Sequence, residues 1–393
     1  MSCSNTEPAA SHWDTEPAAS HWDTEPAAAA AAMAERVGRT GAHPATTPAD
    51  GADAALWAAL TEAGFTEIGI PEEHGGSGGS TADALSVLHA VVGRGALTML
   101  LEHTLLAGRL VAECTAAPPS GPATMAVAGA DCRITRDGGA PDATPPTPDA
   151  VLDGSVTGVV HATGAGILVV VLPGVDEDAD ERPTVALVAT DAPGVTVEPG
   201  SDLLGAPFDD IRFDAAPARL FVSPVSTAEL RRRGALAYAV ALTAAAGTVR
   251  ERTLRYAAER VQFGRPLAAF QAVQQRLAGL AARTALMETA TAAAIADADS
   301  ALARTSIAAA KAVTSAAARE IAAAGHQIHG AIGFTAEYEL GRSTTALWNW
   351  RERYGSERFW ARELAAQILD EGADPWDLVT GAETAATAEE ASR

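Results

Sequence analysis

Residues Tyr256–Gln275 read YAAERVQFGRPLAAFQAVQQ, with an Arg, a Gln-Phe-Gly turn and a Pro set between two helical patterns. Upstream, Gly234–Arg260 reads as one long helix. Leu236, Val240, Thr243, Ala244, Gly247 and Leu254 recur at roughly helical spacing, and Arg250, Arg252 and Arg255 take the polar side. Gly264 and Pro266 end it. A second helix is expected from near Phe270, with Val273, Leu277, Leu280 and Leu286 on one face. Arg260, Gln262 and Gln271 then cluster at the corner between two rods, where such groups can hold the phosphates of a ligand. A capped helix hairpin with no ligand accounts for the same composition.

Two further stretches decide between these readings. His326–Tyr338 reads HQIHGAIGFTAEY, and Leu56–Gly79 reads LWAALTEAGFTEIGIPEEHGGSGG. In order and spacing the three segments resemble the acyl-CoA dehydrogenase family, with its R-x-x-F-G-(K/R)-P-(L/I)-x-x-x-Q, Q-x-x-G-G-x-G-(F/Y)-x-x-E-(Y/H) and W-x-x-L-x-x-x-G-(L/F)…P-E-x-x-G-G-x-G patterns. The resemblance runs from Asp53 to Leu369, strong at both ends and weak in the middle. It implies an α+β fold with an N-terminal helical domain, a middle β-barrel domain and a C-terminal four-helix-bundle domain. The boundaries expected are a disordered, repeat-containing tail over 1–50, helices over 51–120, the β-domain over 121–225, helices over 226–370 and a flexible tail over 371–393.

Composition agrees with a soluble globular protein. The 393 residues suffice for a large core, and 48% of them are hydrophobic. No apolar run approaches the roughly 18–20 uncharged residues of a membrane span. A net charge of −22 argues against nucleic acid or an anionic membrane as partner, since phosphates would be repelled. Lys311 is the single lysine among many arginines, which together with the abundant alanine reads as codon bias. Cys3, Cys114 and Cys132 form no CxxC pair and no metal-ligand spacing with His, so no metal site is expected and a reducing, cytoplasmic setting is.

The start of the chain stands apart. The nine-residue unit TEPAASHWD occurs at Thr6 and Thr15, with a truncated copy at Thr24. Its Pro and Ala content and its lack of an apolar face predict disorder rather than a signal peptide. His12, Trp13, His21 and Trp22 are too few to suggest a metal site. Asp53 is a candidate N-cap and Gly64 a helix stop, and Ala82–Cys114 is expected to hold two helices broken near Gly93–Gly95. Between Gly121 and Val222 short β-rich runs follow, at Ala123–Val127, Gly158–Val160, Ile167–Leu172, Thr184–Ala189 and Asp210–Phe213, as in a small antiparallel barrel. Helices return from about Ser226. The alanine-rich faces between Ala290 and Ala324 suit close helix packing, within one subunit or between subunits.

The resemblance implies FAD, held between the β-domain and the C-terminal helices and gripped at its pyrophosphate end by a neighbouring subunit. Carried onto this sequence, Arg260 meets the pyrophosphate, Gln262, Phe263 and Gln271 line the cofactor's path, and Gln327, Gly330 and Ala331 approach it from the other motif. The residue types suit the task, because guanidinium pairs with phosphate and glycine admits close backbone N–H groups. Ala331 stands where a second glycine is usual. The implied reaction is α,β-dehydrogenation of an acyl-CoA, with electrons passed to an electron-transfer flavoprotein or similar acceptor, in a homo- or hetero-tetramer.

The implied chemistry lacks its usual acid. The family's E-G-T glutamate falls on Tyr354, in Tyr354-Gly355-Ser356, and the alternative base position falls near Ala237. Glu352 and Glu357 lie nearby as displaced substitutes or as solvated helix charges, and Glu352 is the candidate taken forward. Tyr354 would act as a base only with its pKa brought far below about 10. The family's T-E-P-x-x-G-S-D loop reads AVAGAD over Ala126–Asp131, and its flavin-stacking strand reads GVVHAT over Gly158–Thr163, where His161 is the remaining polar handle. Three readings follow. The chain is a divergent FAD enzyme, a non-catalytic subunit of a heterotetramer that completes a partner's FAD site, or a flavin-free scaffold or acyl-CoA-binding relic.

Overall fold

The computed structural model describes residues 22–40, 52–93, 99–129, 131–136, 149–172, 182–335 and 339–380. The first and second repeat units and the Glu337-Tyr338 end of the second motif lie outside these residues, apart from Trp22 and Asp23.

Helices α1 (Glu25–Thr40), α2 (Ala52–Glu62) and α3 (Thr81–Gly93), a π-helix at Leu101–Ala107 and α4 (Gly108–Thr115) form the N-terminal block. The helix at α1 corrects the expectation of a tail disordered throughout 1–50. Pro26 sits in the first turn of α1, where its missing N–H costs nothing. Ala27, Ala30, Ala31 and Ala34 are buried, and Trp22 stacks on His89 of α3 with ring centroids 4.0 Å apart. The stripe was hard to see because it is made of alanine, which supplies close approach rather than bulk. Helix α3 opens on a reciprocal cap: the Ser80 N–H donates to Asp83 Oδ2 at 2.9 Å and the Asp83 N–H to Ser80 Oγ at 3.1 Å.

The middle block is a seven-stranded sheet of order β1-β4-β5-β7-β3-β2, with β6 also paired to β7. Its strands are β1 (Ala123–Val127), β2 (Arg133–Arg136), β3 (Ala150–Val160), β4 (Ile167–Leu172), β5 (Thr184–Ala189), β6 (Val195–Glu198) and β7 (Phe208–Val222). The first half of β7 pairs with β3 and β6 and its last residues with β5, so one long strand joins two sheet halves. All pairs are antiparallel except β1 with β4, which departs from the all-antiparallel expectation. Leu152, Val156, Leu168, Val170, Ala186, Ile211 and Phe213 form this block's own core.

The C-terminal block holds α5 (Thr227–Glu259), α6 (Gln271–Ala296), α7 (Ala303–His329), α8 (Leu340–Trp350), α9 (Glu357–Leu369) and the short α10 (Pro375–Thr380). Ser226 caps α5 by accepting the Glu229 N–H at 3.2 Å. The flexible tail expected from residue 371 is corrected in part by α10 and by Arg304, whose two terminal nitrogens donate to the two Glu371 carboxylate oxygens at 2.7 Å each. No described helix is long and apolar enough to cross a membrane.

Candidate active site

The π-helix places three polar side chains in succession inside an apolar wall. Glu102, His103 and Thr104 are 2%, 1% and 2% exposed. Widened turns of this kind recur at functional sites. Buried polar groups require partners, and the partners differ in kind. His103 Nδ1 accepts the Ala123 N–H at 3.0 Å, and Thr104 Oγ1 donates to the Thr66 carbonyl at 2.9 Å, so both fasten this turn to neighbouring backbone. Burial depresses His103 to about 4, which keeps it a neutral acceptor near pH 7. Glu102 instead faces two side-chain hydroxyls. Tyr238 Oη donates to its Oε1 at 2.8 Å and Tyr354 Oη to its Oε2 at 3.5 Å.

Glu102 and Tyr238 line a cavity of about 50 Å³ where the three blocks meet. Leu88 and Val92 of α3 and Leu101 and Glu102 of the π-helix form one side. Tyr238 and Ala241 of α5, with Trp350 and Arg353, form another, and Val160, His161, Asp202, Leu204 and Ala206 complete it. Burial raises the Glu102 carboxyl from its ordinary 4.5 to about 7, against the opposing pull of the Tyr238 hydroxyl, the Arg353 charge and the Tyr354 hydroxyl. Burial and the Glu102 charge push both tyrosines well above their ordinary value, so both remain proton donors at neutral pH. His161, in a left-handed backbone conformation at φ 58°, is driven down to about 4 by burial despite the nearby Asp202 and Asp209.

The tyrosines stand at or beside the places where the resemblance implies an acid. Tyr354 takes the E-G-T position, and Tyr238 is the neighbour of Ala237. The Tyr238 and Tyr354 rings stack at 5.6 Å. Gly234 makes the room, since a Cβ built there would lie 2.2 Å from the Tyr354 ring. The turn that carries Arg353 and Tyr354 is pinned from below by Lys311, which is wholly buried. Lys311 Nζ donates to Ser315 Oγ at 2.7 Å and to the Arg351 and Gly355 carbonyls at 2.9 Å each, which uses all three ammonium protons. Burial lowers Lys311 to about 7.

Glu352, the acid singled out from sequence, does not line this cavity. Its side chain is 62% exposed and lies 3.6 Å from Arg351 Nε. Glu357 accepts from Arg351 at 2.5 Å and belongs to the start of α9. Glu352 is a surface charge of the turn and Glu357 is half-buried against Arg351, so the structure does not bring the acid singled out from sequence to the cavity. Glu102, Tyr238, Arg353 and Lys311 were missed. The run LLEHTLLAGRLV at 100–111 carried a signal, an acid-led polar triplet inside an apolar stretch.

The second cluster lies on the surface. Arg260, Gln262, Phe263 and Gln271 form the corner between α5 and α6, and all four side chains are exposed, Phe263 at 92%. Arg260 makes no ion pair among the described residues. Gln327, Gly330 and Ala331 are also exposed, at the end of α7. Gly330 adopts φ 64° and ψ −144°, a region essentially restricted to glycine, and nothing lies within 4 Å of where a Cβ would stand. An uncommitted guanidinium, exposed amides and open backbone at a glycine suit a polyanionic cofactor end. The β-domain contribution is different. The N–H and Oγ1 of Thr163 both donate to Asp209 Oδ2 at 2.8 Å, so the polar end of the GVVHAT strand is committed inward.

Helices before and after a sheet, with a buried carboxyl at their junction, define a three-block helix–sheet–helix architecture. The family profile "Acyl-CoA dehydrogenase, N-terminal domain" matches residues 24–117, and "Acyl-CoA dehydrogenase, C-terminal domain" matches residues 229–372. The chain is 30% identical over 312 residues to "Acyl-CoA dehydrogenase IpdE2" of Mycobacterium tuberculosis, spanning 79% of this chain and 86% of that protein. It is 28% identical to "Benzylmalonyl-CoA dehydrogenase" of Aromatoleum aromaticum, spanning 58% of this chain and 66% of that protein. Among solved structures, the ChsE4-ChsE5 complex of Mycobacterium tuberculosis shares the fold with a TM-score of 0.73 at 21% identity, covering 89% of this chain and 99% of that one. The chain belongs to the acyl-CoA dehydrogenase family.

Proposed function

We propose that this chain carries out FAD-dependent α,β-dehydrogenation of an acyl-CoA thioester within an oligomer, a tetramer by family analogy, in which the exposed corner of one subunit completes the cofactor site of another. The observation that carries this reading is the corner itself. A large aromatic 92% in solvent, beside an arginine with no ion pair among the described residues, is an arrangement awaiting an occupant. Arg260 would hold the pyrophosphate, Gln262, Phe263 and Gln271 the cofactor's flank, and Gln327, Gly330 and Ala331 its approach from α7. Bound FAD supplies the acceptor for the hydride that leaves the substrate's β-carbon, and an electron-transfer flavoprotein or similar acceptor would then reoxidise it. The chain's own share is to bind and orient the thioester in the cavity, to exclude water and to accept the α-proton.

One observation favours a second reading, in which this chain is the non-catalytic member of a heterotetramer. The Thr163 donors are spent on Asp209, so the β-domain offers the flavin ring little. The ChsE4-ChsE5 neighbour is itself a complex of two differently named chains.

The visible spectrum of the purified chain, alone and co-expressed with a related chain, separates the readings. A yellow homomer with about one flavin per chain supports the enzyme. Colour only with a partner supports the auxiliary subunit, and no flavin under either condition leaves the scaffold.

A further inference from the structure

We propose that Glu102 is the base that removes the α-proton of the acyl thioester, delivered to the site by the π-helix of the N-terminal block. This rests on the dehydrogenation reading above and assigns its missing residue.

Among the described residues, the groups facing Glu102 include no competitor. The end of β3 contributes His161 and the segment before β7 contributes Asp202. Helix α5 contributes Tyr238, the turn after α8 contributes Arg353 and Tyr354, and α3 presents only Leu88 and Val92. Asp202 is spent. Its Oδ1 accepts the N–H groups of Leu204 and Ala206, and its Oδ2 accepts from Asn349 at 2.6 Å with Arg353 at 3.7 Å. Asp209 is likewise committed to Gly200 and Thr163. Of these three carboxylates, Glu102 alone has each oxygen hydrogen-bonded once, to a tyrosine hydroxyl, and its Oε2 contact is long. Each oxygen of a carboxylate can accept two hydrogen bonds, so capacity for a proton remains.

The surroundings tune it for the task. A carboxyl raised to about 7 is a stronger base than one at 4.5 yet is still substantially ionised at neutral pH, the compromise that general-base catalysis favours. Both tyrosines stay protonated, so they stabilise and orient the carboxylate without competing for the proton. In the step itself the α-carbon–hydrogen bond breaks and its proton passes to a Glu102 oxygen. The electron pair left behind becomes the α,β double bond as the β-hydrogen departs with its own pair, for which bound FAD would be the acceptor. The substrate would thus lose two electrons and two hydrogens, one of them the proton that Glu102 holds and later returns to solvent.

The test compares wild-type, E102Q, E102D and Y238F chains in the flavin-loaded assembly, with a panel of acyl-CoA thioesters from butanoyl to 3-phenylpropanoyl and ferrocenium as acceptor. E102Q preserves shape and should lower kcat by roughly 10²–10⁴ at unchanged flavin content, with partial recovery in E102D. The acidic limb of the wild-type profile should lie near 7 and move up in Y238F, because the Tyr238 hydrogen bond opposes protonation. Independently of turnover, carbon-13 spectra of side-chain-carboxyl-labelled glutamate should show one resonance titrating near 7 that E102Q removes. An active wild type whose E102Q variant stays within tenfold, with the limb unmoved, overturns the assignment and leaves the function standing. A wild-type assembly that binds flavin but dehydrogenates none of the panel, or binds no flavin, overturns both.

Discussion

The corner at Arg260–Gln271 and the polar turn at Glu102–Thr104 are opposites. The corner is exposed, keeps a family pattern and has most of its polar groups uncommitted. The turn is buried, matches no pattern and has every polar side chain bonded. On the reading proposed above each is half of a site: the corner meets a partner outside the chain, whereas the turn meets only its own neighbours, so Glu102 can serve from another helix where Tyr354 stands in place of the usual acid.

The largest expected effect that sharpens this contrast is the loss of turnover in E102Q described above. Next comes Lys311→Met, which leaves the Arg351 and Gly355 carbonyls without their donor. It should cost about 3–5 kcal/mol in urea unfolding by exposing two unsatisfied acceptors and loosening the turn of Tyr354. A loss under 1 kcal/mol would mean that the turn holds itself.

Glu102 should also be visible in stability. Its folded pKa of about 7 lies above its ordinary 4.5, so its protonated form stabilises the fold fully below about 4.5 and that contribution is lost as pH rises through 7. E102Q should therefore gain on wild type between pH 5 and 8, by up to about 3 kcal/mol. Parallel curves for the two proteins would show that the carboxyl titrates in its ordinary range.

The corner predicts the opposite behaviour. Arg260→Glu should leave the unfolding midpoint nearly unchanged, as surface substitutions do, yet weaken FAD retention at least tenfold, the worth of a charge-assisted hydrogen bond. Equilibrium dialysis against FAD reads this directly. The smallest effect is expected of Glu352→Gln, within about 0.5 kcal/mol of stability and with turnover unchanged, because that carboxylate is 62% exposed beside Arg351.

Much of the fold was legible from the sequence. Periodicity placed α5 and α6, and Gly, Pro and Asp punctuation bracketed β1, β4 and β5, whose ranges match the runs read from sequence. Helix α1 was not legible, because its buried face is alanine and its first turn continues a repeat that looks like linker. The site was half legible. Spacing from the motifs located the two vacated base positions, and the structure puts Tyr354 and the neighbour of Ala237 against one carboxyl. That carboxyl could not be found by counting, since Glu102 lies 136 residues from Tyr238 and 252 from Tyr354. Three-dimensional convergence leaves no trace in local spacing.

The central claim is that the pocket of one subunit works with the corner of another, and mixing two crippled chains tests it most directly. E102Q keeps an intact corner and Arg260→Glu keeps an intact pocket. Co-expressed with distinguishable tags, purified as mixed oligomers and assayed without added FAD, the two should recover dehydrogenation well above that of either homomer, at a substantial fraction of wild type, because some sites then pair a sound pocket with a sound corner. Mixed oligomers as inactive as their parents would contradict the account.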